Sequence, residues 1–95
     1  MEKLVAYKRM PVWNKDTMPE AVQRKHNTKV GTWGKITVLK GTLKFIELTE
    51  DGEVLAEHFF EEGADNPMAQ PKAWHRVEAA TEDVEWYLEF YCKPE

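Results

Sequence analysis

Apolar side chains recur along much of this chain at the two-residue period of a half-buried strand, and no segment sustains the 3.6-residue period of an amphipathic helix. The middle is clearest. Lys35–Leu39 and Thr42–Leu48 are β-branched and aromatic runs hinged at Lys40-Gly41, and Asp51-Gly52 is a hairpin signal ahead of Glu53–Phe60. Leu4–Met10 predicts an edge strand ended by Pro11, Asn14–Pro19 a loop, and Glu20–His26 a short strand in preference to one helical turn. Glu61–Met68 is turn-rich and charged, and the chain is expected to cross there from one sheet to another. Ala73–Ala79 and Val84–Cys92 follow, separated by the acidic turn Thr81-Glu82-Asp83. Seven to nine short strands at this spacing predict an all-β sandwich or barrel.

The 95 residues, 42% apolar and carrying four tryptophans, fit one compact domain over residues 1–95. Seventeen acidic side chains against 13 basic ones give a net charge of −4 with no basic stripe, which argues against nucleic acid as a partner. Cys92 is the sole cysteine, as suits a reducing compartment. Neither an apolar signal segment nor a run of ~20 apolar residues occurs, so a soluble, cytoplasmic chain with no membrane partner is expected.

Candidate chemistry starts at Pro71-Lys72-Ala73-Trp74-His75-Arg76-Val77-Glu78, where a histidine enters a predicted strand behind a proline and an aromatic. His26 lies 49 positions upstream beside Gly31-Thr32-Trp33-Gly34. Two histidines on separate strands of one small β-fold can share a pocket, as ligands of an ion or as acid–base groups. His58 is a weaker candidate, and Trp33 and Trp74 are candidates to wall the pocket. The last strand sets Glu89 on one face with Tyr87 and Tyr91, which makes Glu89 a candidate carboxylate and Tyr87 a pocket residue. Nucleophilic catalysis has little support: the chain contains no serine, and Cys92 has no histidine near it in sequence.

The blocks Pro11-Val12-Trp13, Lys25-His26-Asn27-Thr28-Lys29-Val30-Gly31-Thr32-Trp33-Gly34-Lys35, Val38-Leu39-Lys40-Gly41, Trp74-His75-Arg76-Val77-Glu78 and Phe90-Tyr91-Cys92 together span nearly the whole chain. Through them it resembles the TehB-like cupin domains, found at the N-terminus of tellurite-resistance proteins and as free-standing single-domain proteins. The resemblance implies a small jelly-roll (cupin) barrel of antiparallel strands. It also implies a place in the response to tellurite or related oxyanions, with a small molecule or oxyanion as the bound partner. The longer relatives continue into a methyltransferase domain; no glycine-rich turn for S-adenosylmethionine occurs in this sequence, so methyl transfer is not expected of it.

The general cupin pattern places metal ligands at His-x-His, a following Glu and a later His. By that resemblance His26 takes the first position and His75 the last, while Thr28 replaces the second His and Gly34 falls near the Glu. A divalent ion such as Zn, Ni, Mn or Fe would then draw on His26, His75 and Glu89, with Glu78 or His58 as alternatives. A metal-dependent cupin enzyme and a dimerisation module with a vestigial pocket are the competing expectations. Many aromatics on a small sheet fold also predict a homodimer that hides an edge strand.

Overall fold

The computed structural model describes residues 3–94. They form seven strands and one short helix: β1 Val5–Arg9, β2 Trp13–Asn14, α1 Glu20–Arg24, β3 Trp33–Lys40, β4 Thr42–Leu48, β5 Val54–Glu61, β6 Trp74–Ala79 and β7 Glu85–Cys92. Every strand pairing is antiparallel. β7 is the spine of the first sheet: β1 and β2 pair with its two ends on one edge, and β3 runs along the other from Trp33↔Tyr91 to Lys40↔Glu85. The second sheet has the order β5-β4-β6.

Period-two alternation determines which side chains enter the core. Ile36 and Val38 of β3 and Trp86 and Leu88 of β7 meet Leu43 and Phe45 of β4, Phe60 of β5 and Val77 of β6 in one buried cluster. β4, the central strand of its sheet, is buried on both faces, because Ile46 and Leu48 lie opposite Leu43 and Phe45 and are also covered. The all-β expectation therefore holds, and β4 spans the residues that its alternation predicts.

Two sequence expectations are corrected. Glu20–Arg24 is a helix, not a strand. Pro19 precedes it in extended conformation, Glu20 and Arg24 form an i,i+4 ion pair oriented favourably to the helix dipole, and Val22 is buried in the core cluster. Burial of that one residue, together with the end charges, outweighs a pattern too short to show a period. The crossing between sheets is also not at Glu61–Met68, since β5 and β6 flank β4 within one sheet. The chain changes sheets at Gly41, between β3 and β4, and returns between β6 and β7. The 61–73 connection instead runs past β3, held by a two-hydrogen-bond bridge between Gly34 and Ala69. The Asp51-Gly52 hairpin forms as expected, with Gly52 at φ +90° and Thr49 N–H donating to the Glu53 carbonyl at 2.8 Å.

Gly41 has φ +71°, and a Cβ there would collide with Thr81 Oγ1, Asp83 Oδ1 and, at 3.1 Å, Val84 Cα. Gly52 is also left-handed, but a Cβ there meets nothing within 4 Å. Gly52→Ala should therefore cost about 1–2 kcal/mol for the backbone alone, and Gly41→Ala clearly more, because the turn joining the two sheets must also shift. Urea unfolding of both variants checks the order; equal losses would contradict it.

Candidate functional site

The helix ends at Arg24, and Lys25 turns the chain extended at φ −163° and ψ 120°. His26 is thereby laid against the free edge of β6. Its N–H donates to the His75 carbonyl and the His75 N–H donates to the His26 carbonyl, each at 2.8 Å. Residues that exchange both backbone bonds across an antiparallel pair project side chains to the same face. The imidazoles accordingly meet, with His26 Nδ1 3.4 Å from His75 Nε2 and ring planes at 68°. Further along, Lys72 N–H donates to the Thr28 carbonyl at 2.9 Å and the Thr28 hydroxyl donates to the Gln70 carbonyl at 3.3 Å, so residues 26–28 are held from both sides.

The hydrogen bonds fix the tautomer of His75. Its Nδ1 lies 3.1 Å from the Ala73 carbonyl, which only accepts, so Nδ1 carries the proton and the Nε2 lone pair of the neutral ring faces His26. Burial holds His75 well below the usual imidazole range, at about 4; the neighbouring His26 adds to the effect and the Ala73 carbonyl opposes it. Burial also lowers His26. Lowered proton affinity favours the neutral form of both rings; His26 Nδ1–H then donates to the His75 Nε2 lone pair, and an ion between them would require the other His26 tautomer, with its proton on Nε2.

Each histidine faces a different cavity. His75 lines an inner one of about 240 Å³ with Phe45, Trp74, Met68, Glu47 and His58. His26 lines an outer one of about 330 Å³ with Tyr7, Lys8, Lys29, Thr32 and Phe90. In the inner cavity His58 Nε2 and Glu47 Oε2 are 2.6 Å apart. Glu47 was not a candidate from the sequence, although alternation from Phe45 sets it on the core-facing side of β4, and an inward carboxylate ending an apolar strand is a usable signal.

Of the other residues singled out from the sequence, Trp74 lines the inner cavity, with Lys25 Nζ 4.5 Å from its ring centroid. Trp33 lines neither of these two cavities; its indole N–H donates to Gln70 Oε1 at 3.2 Å. Tyr87 carries the Arg9 guanidinium over its ring at 4.5 Å, and Glu89 accepts from Arg9 at 3.2 Å. Glu89 alternates with the core residues Trp86 and Leu88, so its side chain leaves the opposite face of β7. Glu78 pairs with Arg76. Among the described residues no group of three His, Cys, Asp or Glu is placed to hold a metal ion. Thr28 and Gly34, where the cupin pattern has its other ligands, face each other: a Cβ at Gly34 would sit 3.6 Å from Thr28 Cγ2 and from Ala69 Cβ.

Two imidazoles can nevertheless share an ion. Nitrogens each about 2.0–2.1 Å from a tetrahedral ion lie about 3.3–3.4 Å apart, and the observed separation is 3.4 Å. The Ala73 carbonyl supplies the outer hydrogen bond that orients a ligating imidazole.

An all-β domain of two antiparallel sheets, with a buried histidine and a half-buried one paired at one sheet edge, defines the class. Residues 8–88 match the TehB-like domain, and the chain belongs to that family. It is 61% identical over 93 residues to a Haemophilus influenzae protein called probable S-adenosyl-L-methionine-dependent methyltransferase TehB, covering 98% of this chain and 32% of that protein. The crystal structure of TehB from Haemophilus influenzae superimposes with a TM-score of 0.91 at 62% identity, over 95% of this chain and 32% of that one. Escherichia coli K12 YeaR is 26% identical over 89 residues, covering 90% of this chain and 75% of that protein. The chain thus spans about a third of TehB and three-quarters of YeaR. No helix among the described residues is long and apolar enough to cross a membrane.

The buried histidines make stability depend on pH. The unfolded chain protonates His75 near 6.5 and the folded one near 4, so the unfolded state binds more protons in between. Stability is full above about pH 6.5 and falls as pH drops towards 4, by about 3 kcal/mol for His75. His26 contributes in the same direction. Denaturant unfolding from pH 7 to 4 should show this loss and should show it reduced in His75→Gln; an unchanged slope in the variant would place the titrating group elsewhere.

Proposed function

We propose that this domain is a small binding module of the tellurite or oxyanion stress response that holds a divalent metal between His26 Nδ1 and His75 Nε2. The observation that carries the reading is their 3.4 Å separation in a pair of neutral, backbone-pinned rings. With two protein ligands the affinity is modest, and water or the bound molecule completes the coordination. A bound ion would supply Lewis acidity at the wall of the inner cavity. The chain's own residues orient His75 through Ala73, wall the cavity with Phe45 and Trp74, and offer the half-exposed Glu47–His58 pair as a proton acceptor or donor within the same cavity. That last pair keeps a metal-dependent enzyme as the second reading. Methyl transfer is not part of the proposal, because the matched region is only a third of the relative whose name carries that activity.

The proposal extends to a homodimer formed over the apolar outer positions Leu55 and Phe59 of β5, an edge strand. Light scattering that gives a one-chain mass would remove this part.

Thermal melting of chelator-treated protein titrated with Zn, Ni, Mn or Fe(II) tests the metal. At a free concentration a hundredfold above Kd the ion should stabilise by about 2.7 kcal/mol and raise Tm by several degrees. His75→Ala and His26→Gln should each abolish the rise; both can fold, since the bridge between these positions uses backbone groups. The rise should fade as pH falls and the imidazoles protonate. No shift with any of the four ions, or a shift that survives both variants, rejects the histidine site.

A further inference from the structure

We propose that the outer cavity, on the side of His26 away from the inner one, is a binding site for a small doubly charged oxoanion. The inference deepens the reading above by assigning an anion its own place, and it shares His26 with that reading without requiring a metal. Lys8 comes from β1 and Lys29 from the extended segment after α1, and both line the cavity. Among the described residues no carboxylate lines it. In a chain of net charge −4 this is a local reversal of sign. Lys15 and Lys44 have carboxylate partners, at 4.0 and 2.8 Å; neither Lys8 nor Lys29 has one within ion-pair distance among the described residues. Two ammonium groups with no carboxylate partner among the described residues favour a dianion over a monoanion.

The uncharged groups are donors of the kind that an oxoanion needs. The Tyr7 and Thr32 hydroxyls are hydrogen-bonded to each other at 3.1 Å, so whichever donates, the other keeps its own proton for a further acceptor. Thr32 is buried, which fixes that pair in place. Asn27 adds an amide beside His26. Charge-assisted hydrogen bonds to several oxygens distinguish such an anion from chloride, which offers one centre.

Sulfate is a suitable probe, because it is a dianion throughout the neutral range. Calorimetric titration with sulfate, at ionic strength held constant with chloride, should give saturable one-site binding, and amide resonances of residues 27–32 should move with the same constant. Lys8→Ala/Lys29→Ala should weaken it by at least about tenfold, the loss expected for one charge-assisted hydrogen bond or more. These lysines are exposed, so the double variant should remain folded. Lys40→Ala should bind sulfate as the native protein does. Absence of saturable binding overturns the proposal. So does an equal loss in Lys40→Ala, which would reveal a response to net charge alone, and so do resonance shifts confined to residues 68–70, which would place the anion in the inner cavity. Failure of the metal reading would show only in the melts with divalent ions and would leave sulfate binding intact.

Discussion

The paired backbone hydrogen bonds between His26 and His75 are the contact on which the site depends. Each is 2.8 Å long, and together they attach an irregular segment to the open edge of β6. Their net contribution is modest, roughly 0.5–1.5 kcal/mol each, and their main effect is geometric. A hydrogen-bonded antiparallel pair leaves no freedom about which face its two side chains share. Polar rings buried in this way are tolerated only when their nitrogens find partners. His75 finds one in the Ala73 carbonyl and another in His26. The low proton affinity of both rings follows from the same burial.

The histidine pair also divides two unlike environments. On the inner side Phe45 and Trp74 surround the Glu47–His58 pair. On the outer side the exposed Lys8 and Lys29 line a cavity with the Tyr7 and Thr32 hydroxyls. Here Thr28 serves as a staple to Gln70, and Gly34 admits the close approach of Ala69 through the bridge that holds the 61–73 connection against β3. Both contacts belong to the packing around the segment that carries His26.

Family membership and this geometry bear on different questions. Identity of 61% across nearly the whole chain makes the domain's architecture that of about a third of a larger relative. The chemistry of the histidine pair is argued from its own distances, since that relative's name describes a methyltransferase three times as long.

The sequence by itself determined the strands and the turns that join them, because both are local: alternation in Thr42–Leu48 and the Asp51-Gly52 pair specify a strand and a hairpin without reference to the rest of the chain. It also singled out His26 and His75. What it left undecided depends on contacts between distant residues. Glu20–Arg24 is too short for its period to show, and its helical state comes from Val22 packing into the core. The sheet to which each strand belongs was set by Gly41, whose left-handed turn beside Thr81 and Asp83 sends the chain across, and no alternation records that choice. Glu89 lies on the outer face of β7 because Trp86 and Leu88 claim the core, and alternation names two faces without saying which is inside. The meeting of the two imidazoles required a 49-residue separation to close at the edge of β6, so only the tertiary structure could decide it.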